Sequence, residues 1–409
     1  VIAERQDLDG HAAGLVPQAT GIAARGTVLP RTWRLAAHAV RSYSDHALRN
    51  LRFTIQNAWP VRHPRSASAL TRRKTMKSLV IHGAEDIRFE DQPEPEVADG
   101  QVRLRVKYVG ICGSDLHYYF LGRNGENVVR EPFVPGHELS ATVDLDPSGE
   151  LAPGTPVTVH PARYGTPVDG LEERPHLWPG GDYLGSAGVF PHRQGAAAEL
   201  LVVERDMVRV LPEGLSLERA ALAEPLAVSV HAVNIAGEVA GRPALVLGAG
   251  PIGLLAVAAL RHAGASEIVV GDVRPEPLAR AEALGATRTF LVTEEQVDPG
   301  SFPVVLECSA APVSLGSAVR AVAPGGIVVQ VGILPDAEIS VNLAPLLAKE
   351  AELRGTFRFS TEIDDAITML LEDPALDDVV TQVIPADQAP EAFATARDAA
   401  RSAKVLLAL

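Results

Sequence analysis

The run Ala244-Leu245-Val246-Leu247, followed at once by Gly248-Ala249-Gly250-Pro251-Ile252-Gly253, decides the fold. Four apolar residues make a short buried strand, and the Ala/Leu-rich stretch through Arg261 reads as a helix. G-x-G-x-x-G between a strand and a helix has a mechanism that the motif alone lacks. Gly248 allows a tight turn, Gly250 lets the backbone approach a pyrophosphate, and Gly253 lets the helix pack closely on the strand. The free N–H groups of the helix N-terminus then face the phosphates. A second apolar strand, Ile268-Val269-Val270, ends at Asp272, 19 residues past Gly253. A carboxylate there suits the ribose hydroxyls of NAD and repels the 2′-phosphate of NADP. Arg274, two residues on, partly offsets that preference. A glycine turn without ligand, and Asp272 as a helix cap, are the plainer readings.

Working outward, strands and helices keep alternating. Val304-Val305-Leu306 reads as a strand, a helix runs through Arg320, and Ile327-Val328-Val329-Gln330-Val331 is a further strand. Apolar strands in β-α-β succession imply a parallel sheet covered on both faces. Upstream, residues 77–215 have another character. Val102-Arg103-Leu104-Arg105-Val106-Lys107-Tyr108 alternates apolar and basic residues, the period of a half-buried strand. Thr155–Val159 and Leu200–Val203 read as strands too, and the Pro- and Gly-dense stretch from His160 to Arg193 as a long loop. Downstream, helices are expected around Glu362–Leu371 and Pro390–Ala400, then a last strand, Lys404-Val405-Leu406-Leu407.

The whole chain has 409 residues, is 46% hydrophobic and carries a formal net charge of −14. That balance disfavours nucleic acid as a partner, and no apolar run is long enough to span a membrane. Two cysteines, Cys112 and Cys308, exclude a disulfide framework and fit a reducing cytoplasm. The charge is uneven. Residues 1–75 hold 12 Lys and Arg against 4 Asp and Glu, leaving 25 against 47 for the rest. That first segment lacks hydrophobic periodicity and reads as a disordered or non-native extension, with an Arg-rich targeting peptide as an alternative.

Three clusters carry further chemistry. Gly110-Ile111-Cys112-Gly113-Ser114-Asp115-Leu116-His117-Tyr118-Tyr119 comes first, then Gly136-His137-Glu138, then Glu224-Pro225 where the strand-rich block gives way to the α/β block. Thiolate, imidazole and carboxylate are all zinc ligands, and three protein ligands with one open position mark a catalytic ion. Spacing alone does not show that Cys112, His137, Glu138 and Glu224 converge. A buried small hydrophobe, a core histidine and a helix-start acid remain open for them.

Taken together, C-G-S-D-x-H, G-H-E, E-P-L-x-V-x-x-H and G-A-G-P-I-G resemble the zinc-dependent medium-chain alcohol and polyol dehydrogenases. The resemblance covers residues 77–409. It is nearest the sorbitol/xylitol and L-idonate 5-dehydrogenase subgroups, the latter through Ile111–Tyr119, Leu184–Ala187 with Phe190-Pro191-His192, and Gly355-Thr356-Phe357-Arg358-Phe359. It implies an α/β protein: a GroES-like, mostly-β catalytic domain at 76–224, a doubly wound parallel-sheet Rossmann domain at 225–354, and a return to the catalytic domain at 355–409. It implies one catalytic zinc served by Cys112, His137 and Glu224, with Glu138 as a further or alternative ligand. Ser114 would relay the proton, or Glu138 or Glu224 would move it through water. Tyr118, Arg358 and Phe359 would face substrate or nicotinamide. Pro251, Ile252, Val331, Gly332, Ile333, Phe357 and Arg358 would line NAD.

The implied reaction is reversible oxidation of a secondary alcohol in a small polyol or sugar acid by a homo-oligomer, dimer or tetramer. For a sugar acid such as L-idonate, Arg358 is the first candidate to grip the carboxylate, with His192 and Arg193 next. A zinc-free reductase and a non-catalytic NAD-binding protein are the alternatives. Three departures stand out. Relatives carry a four-cysteine zinc lobe where Pro161–Tyr183 has no cysteine. Pro277 stands where sorbitol-type enzymes often have Arg. Ala141 ends G-H-E-x-x-G.

Overall fold

The computed structural model describes residues 74–409. The expected N-terminal extension lies outside the described residues except for its last two. Around the glycine run, Pro243–Leu247 is the central strand of a six-stranded parallel sheet. The order across that sheet is Arg288–Leu291, Glu267–Asp272, Pro243–Leu247, Phe302–Glu307, Val322–Gln330 and Glu352–Gly355. Leu245 pairs with Val269 on one side and Val305 on the other, and all three are fully buried. Such strands must be apolar throughout, because helices cover both faces. The strand order reverses beside Pro243–Leu247, and open α/β sheets bind ligands at that reversal, outside the carboxyl ends of the strands. The run Gly248–Gly253 leaves the sheet there.

A second sheet of seven strands is largely antiparallel. Its order is Val208–Val210, Pro156–Val159, Glu138–Leu145, Gln101–Gly110, Lys404–Ala408 and Val380–Pro385, with Leu200–Glu204 also on Gln101–Gly110. Val102, Leu104 and Val106 point into its core, as their alternation predicts, while a register irregularity after Val106 puts Val109 in the core in place of Tyr108. The last strand binds against Gln101–Gly110, with Leu406 opposite Gly110. Residues 359–379 pack instead with the helices of the parallel sheet, so the chain rejoins the antiparallel sheet only at Val380. Among the described residues, no helix is long and apolar enough to cross a membrane.

Helix Ala223–Ala236 joins the two halves. It is buried on nearly every side, with Leu226 and Ala227 at 0% exposure. It packs against Pro251–His262 and Ile363–Glu372. A polar anchor fixes it to the segment before that last helix. Glu362 Oε1 accepts from Asn234 at 3.3 Å and lies 2.7 Å from His231 Nδ1, while Oε2 accepts the Ser360 and Thr361 N–H groups at 2.8 and 3.0 Å. Burial pushes the Glu362 carboxyl up, but His231 and the backbone donors outweigh it and bring the pKa from 4.5 to about 2.

A depressed carboxylate stabilises the fold above its unfolded pKa and loses that contribution as pH falls through the folded value. The stability gap between the parent protein and Glu362→Gln is therefore expected to be constant above about pH 5 and to close between about pH 4.5 and 2. Urea denaturation across that range measures it; a gap independent of pH counts against the charged anchor.

Candidate metal and dinucleotide site

Cys112, His137 and Glu138 come together although 25 residues separate the first two in sequence. One donor atom from each lies within 4.8 Å of the others. Cys112 is the N-cap of helix Gly113–Leu121, at the end of strand Gln101–Gly110 and its two-residue extension. His137 and Glu138 open the neighbouring strand, whose register places Glu138 opposite Gly110. Glu224 lies in the first turn of the bridging helix and outside that group of three. Its Oε1 accepts the Tyr183 hydroxyl at 2.5 Å.

Asp115 ties the two loops together. Its carboxylate accepts the Cys112 N–H at 3.0 Å and the Gly136 N–H at 3.1 Å, fixing the residue at one donor and the neighbour of the next. Lys404, from the C-terminal strand and 2% exposed, donates to Glu138 Oε1 at 2.7 Å and to the Ile111 carbonyl at 3.2 Å. Gly110 makes room for this arrangement, since a Cβ there would stand 2.1 Å from Glu138 Oε2. None of these three residues was singled out from sequence for this role. Lys404 does have a signal, as the one charge heading an otherwise apolar final strand.

The electrostatics ask for a cation. Burial raises the pKa of Asp115 and of Glu224. Burial would depress the His137 imidazole, yet the Cys112 sulfur, Asp115 and Glu224 outweigh it and lift it well above 6.5. Lys404 shows the same balance, with burial pulling it down and Glu138 and Cys112 carrying it up. His137 Nδ1 and Glu138 Oε2 are buried without a hydrogen-bond partner among the described residues. Lys404 Nζ is 2.7 Å from that Oε2 but does not donate along a hydrogen-bond direction. A soft thiolate, an imidazole and a carboxylate in a closed group, with acceptor capacity to spare, fit a zinc ion.

The dinucleotide loop also passes a test of fit. Gly248 has φ +96° and its Cβ would meet Ser309 N at 2.7 Å. A Cβ on Gly253 would meet the Gly248 carbonyl at 1.9 Å. A Cβ on Gly250 would meet nothing within 4 Å, so that side of the loop is open. Pro251 and Ile252 start the helix behind it. Asp272 uses its carboxylate to accept the Ala249 N–H at 2.7 Å and the Arg274 N–H at 3.0 Å. Arg274 is the N-cap of the next helix, and Pro277 is buried in that helix. The turn Val331-Gly332-Ile333 hangs from the Glu307 carbonyl, which accepts both the Val331 and Gly332 N–H groups at 2.8 Å. Ile333 is 72% exposed and Phe357 51%, and Phe357 lines a cavity together with Arg358. Ser229, on the bridging helix, donates to the Pro225 and Ile252 carbonyls at 3.1 and 3.2 Å. It connects the first turn that carries Glu224 to the start of the glycine-loop helix.

Other predicted residues are placed as follows. Ser114 is half-buried in the first turn after Cys112. Tyr118 is buried, and its hydroxyl accepts the Ala187 N–H at 3.1 Å. Phe359 is buried against the His160 ring at 4.7 Å. Arg358 is half-buried with φ +52°, its guanidinium 4.2 Å from the Tyr183 ring centre and 4.6 Å from that of Phe357. His192 and Arg193 are engaged elsewhere. His192 Nε2 takes the Arg130 N–H, and Arg193 donates to Glu204. The cysteine-free stretch is held by charge: Arg163 pairs with Asp182 and Glu204, and Glu204 with Arg193.

A parallel nucleotide-binding sheet beside a thiolate–imidazole–carboxylate centre defines a metal-assisted dehydrogenase. Residues 98–213 match the alcohol dehydrogenase GroES-like domain and residues 251–372 the zinc-binding dehydrogenase family. The chain is 35% identical over 337 residues to sorbitol dehydrogenase of Bos taurus, covering 78% of this chain and 92% of that one. The solved structure of L-idonate 5-dehydrogenase from Escherichia coli matches with TM-score 0.78 at 30% identity, covering 82% of this chain and 99% of the other. That of 2R,3R-butanediol dehydrogenase from Bacillus subtilis matches with TM-score 0.74 at 29% identity, covering 82% and 99%. The chain belongs to the zinc-binding medium-chain dehydrogenases. It is a zinc-dependent alcohol and polyol dehydrogenase, similar to sorbitol dehydrogenase, and a neighbour from Sinorhizobium meliloti, 26% identical with TM-score 0.75, was solved bound to NADP.

Two substitutions probe the centre. Gly110→Ala drives a methyl group into the Glu138 carboxylate and is expected to weaken zinc at least about tenfold in a chelator competition, since the carboxylate must move. Unchanged zinc affinity counts against Glu138 as a ligand. Lys404→Met leaves a buried carboxylate unpaired, and losses of about 3–5 kcal/mol are typical of such breaks. The loss is expected in chelator and is expected to shrink when zinc is added, as urea denaturation in the two conditions measures.

Proposed function

We propose that this chain oxidises L-idonate at C5 to 5-keto-D-gluconate, with NAD preferred over NADP. The observation that carries the reading is Arg358. Its guanidinium lines a cavity of about 300 Å³ together with Tyr183 and has no carboxylate partner among the described residues. Burial lowers its pKa, so a ligand anion there gains from pairing with it. A bulky residue at φ +52° costs about 1–3 kcal/mol and persists where the surroundings impose it, often at ligand-binding positions. A planar guanidinium grips a carboxylate through two hydrogen bonds.

In this reading residues 76–224 and 380–409 form the catalytic domain and 225–354 the nucleotide domain, with 359–379 packed on the latter. Cys112, His137 and Glu138 hold the zinc, with Glu224 held back by Tyr183. When bound, zinc supplies a Lewis acid for the substrate oxygen and NAD the hydride acceptor. The protein does the rest. Ser114, in the first turn after Cys112, would accept the hydroxyl proton as it gives its own to a solvent water. Gly248, Gly250 and Gly253 with the helix starting at Pro251 and Ile252 cradle the pyrophosphate, and Asp272 beside Arg274 receives the ribose. Val331, Gly332, Ile333 and Phe357 close over the nicotinamide end. Tyr118 supports the loop at Ala187 and keeps its own O–H to donate.

A sorbitol- or xylitol-type substrate is the second reading, favoured by the sorbitol dehydrogenase relatives. Arg358→Met separates the two. On the sugar-acid reading it lowers kcat/KM for L-idonate about 100-fold and for sorbitol less than about threefold; equal losses remove the carboxylate role. Cys112→Ser is expected to abolish both bound zinc, by metal analysis, and turnover.

A further inference from the structure

Sequence reasoning left the cysteine-free stretch around Pro161–Tyr183 without a function. In the structure it forms one wall of the Arg358 cavity. The short strands Ala162–Arg163 and Asp182–Tyr183 pair as a ribbon, and the turn Pro175–Leu177 lies between them. The ion pairs Arg163–Asp182 and Arg163–Glu204 pin the base of this ribbon to strand Leu200–Glu204. Trp178 Nε1 donates to the Leu171 carbonyl at 2.9 Å and braces the turn from within. His176 sits on that turn and lines the cavity, as does Arg358.

The His176 ring has a definite chemistry. Its Nδ1 is buried with no hydrogen-bond partner among the described residues. Behind it, the ring lies edge-on to His231 with centres 5.0 Å apart, and His231 is anchored to Glu362. Burial, then His231, pushes the His176 pKa down to about 4, so the ring is neutral near pH 7. A neutral imidazole carries its one proton on either nitrogen. Orphaned buried N–H groups are rarer than under-satisfied acceptors, so a closed-off Nδ1 keeps the lone pair and Nε2 keeps the hydrogen.

We propose that His176 is a specificity-determining residue: its Nε2–H donates to an oxygen on the substrate chain away from the reacting carbinol, from the wall that also carries Arg358. This rests on the reading of the cavity as the substrate site but not on the substrate being an acid. An uncharged donor takes either a hydroxyl or a carboxylate oxygen, whereas Arg358 distinguishes the two. The ligand class is therefore an oxygenated carbon chain, and a monofunctional secondary alcohol has nothing to offer this residue.

The test uses the full zinc-loaded protein with sorbitol, L-idonate and cyclohexanol. His176→Phe is expected to raise KM for sorbitol and L-idonate about 10–100-fold with kcat within about threefold, and to leave cyclohexanol unchanged within about threefold. His176→Gln, whose amide nitrogen reaches the place of Nε2, is expected to recover most of the loss. Zinc content and thermal midpoint are followed in both variants. Three results overturn the proposal: equal losses on cyclohexanol, no loss on sorbitol, or a Gln variant no better than Phe. The arms also keep this inference separate from the sugar-acid reading. If the parent enzyme ignores L-idonate but oxidises sorbitol, that reading falls and the sorbitol arm alone decides His176. A parent enzyme that oxidises neither faster than cyclohexanol overturns both.

Discussion

The structure depends on keeping a group of buried negative charges in one place. Cys112, Glu138, Asp115 and Glu224 lie close together around His137, three of the four acidic groups being at most 5% exposed. Taking carboxylates out of water costs several kcal/mol each unless something compensates. The compensation comes from every part of the chain: Lys404 from the last strand, backbone N–H groups from two loops, Tyr183 from the ribbon. A divalent ion completes it. The residues whose chemistry fits a metal ion also join the last strand to the antiparallel sheet, so on that assignment folding and metal binding are coupled.

Helix Ala223–Ala236 carries this constraint to the dinucleotide. Glu224 lies in its first turn, Ser229 reaches the Ile252 carbonyl, and His231 holds Glu362. A helix buried on nearly every side cannot slide independently of what it touches. The ribbon opposite is fixed differently. Where relatives are expected to use a metal-bound lobe, Arg163, Asp182, Arg193 and Glu204 form a closed set of ion pairs. Single exposed pairs contribute little, but a linked set with two of its members below 20% exposure holds geometry better.

The sequence was most legible where one residue type has one physical use. Gly248 and Gly253 were readable because a positive φ and a close backbone approach admit nothing else. The strand at Val102–Tyr108 was readable from its period, and the parallel sheet from its apolar runs. Cys112, His137, Glu138 and Glu224 could be named as donors, but their convergence depends on a register, Gly110 opposite Glu138, that no local pattern encodes. Asp115 and Tyr183 were silent because their roles are long-range, and Lys404 stood out only as the lone charge heading an apolar strand, with no sign of its partner. Lys404 meets Glu138 across 266 positions of sequence. The ribbon carrying His176 read as loop because a pair of two-residue strands leaves no periodic trace.

The polarity of the cleft has a consequence for which carbinol reacts. The Arg358 cavity meets the buried acids through Tyr183, which lines it, donates to Glu224 and stacks edge-on to His137. Its wall also carries two donors, Arg358 and His176. On the sugar-acid reading, a carboxylate placed toward the metal end meets those buried acids in a poorly screened site, where repulsion is far stronger than in water. Placed toward Arg358 it is paired. The oriented substrate then presents to the metal a hydroxyl at the far end of its chain, not the one next to the carboxylate. On that reading the choice among secondary alcohols comes from the charge around the substrate, not from the zinc chemistry, which is indifferent to which secondary alcohol it receives.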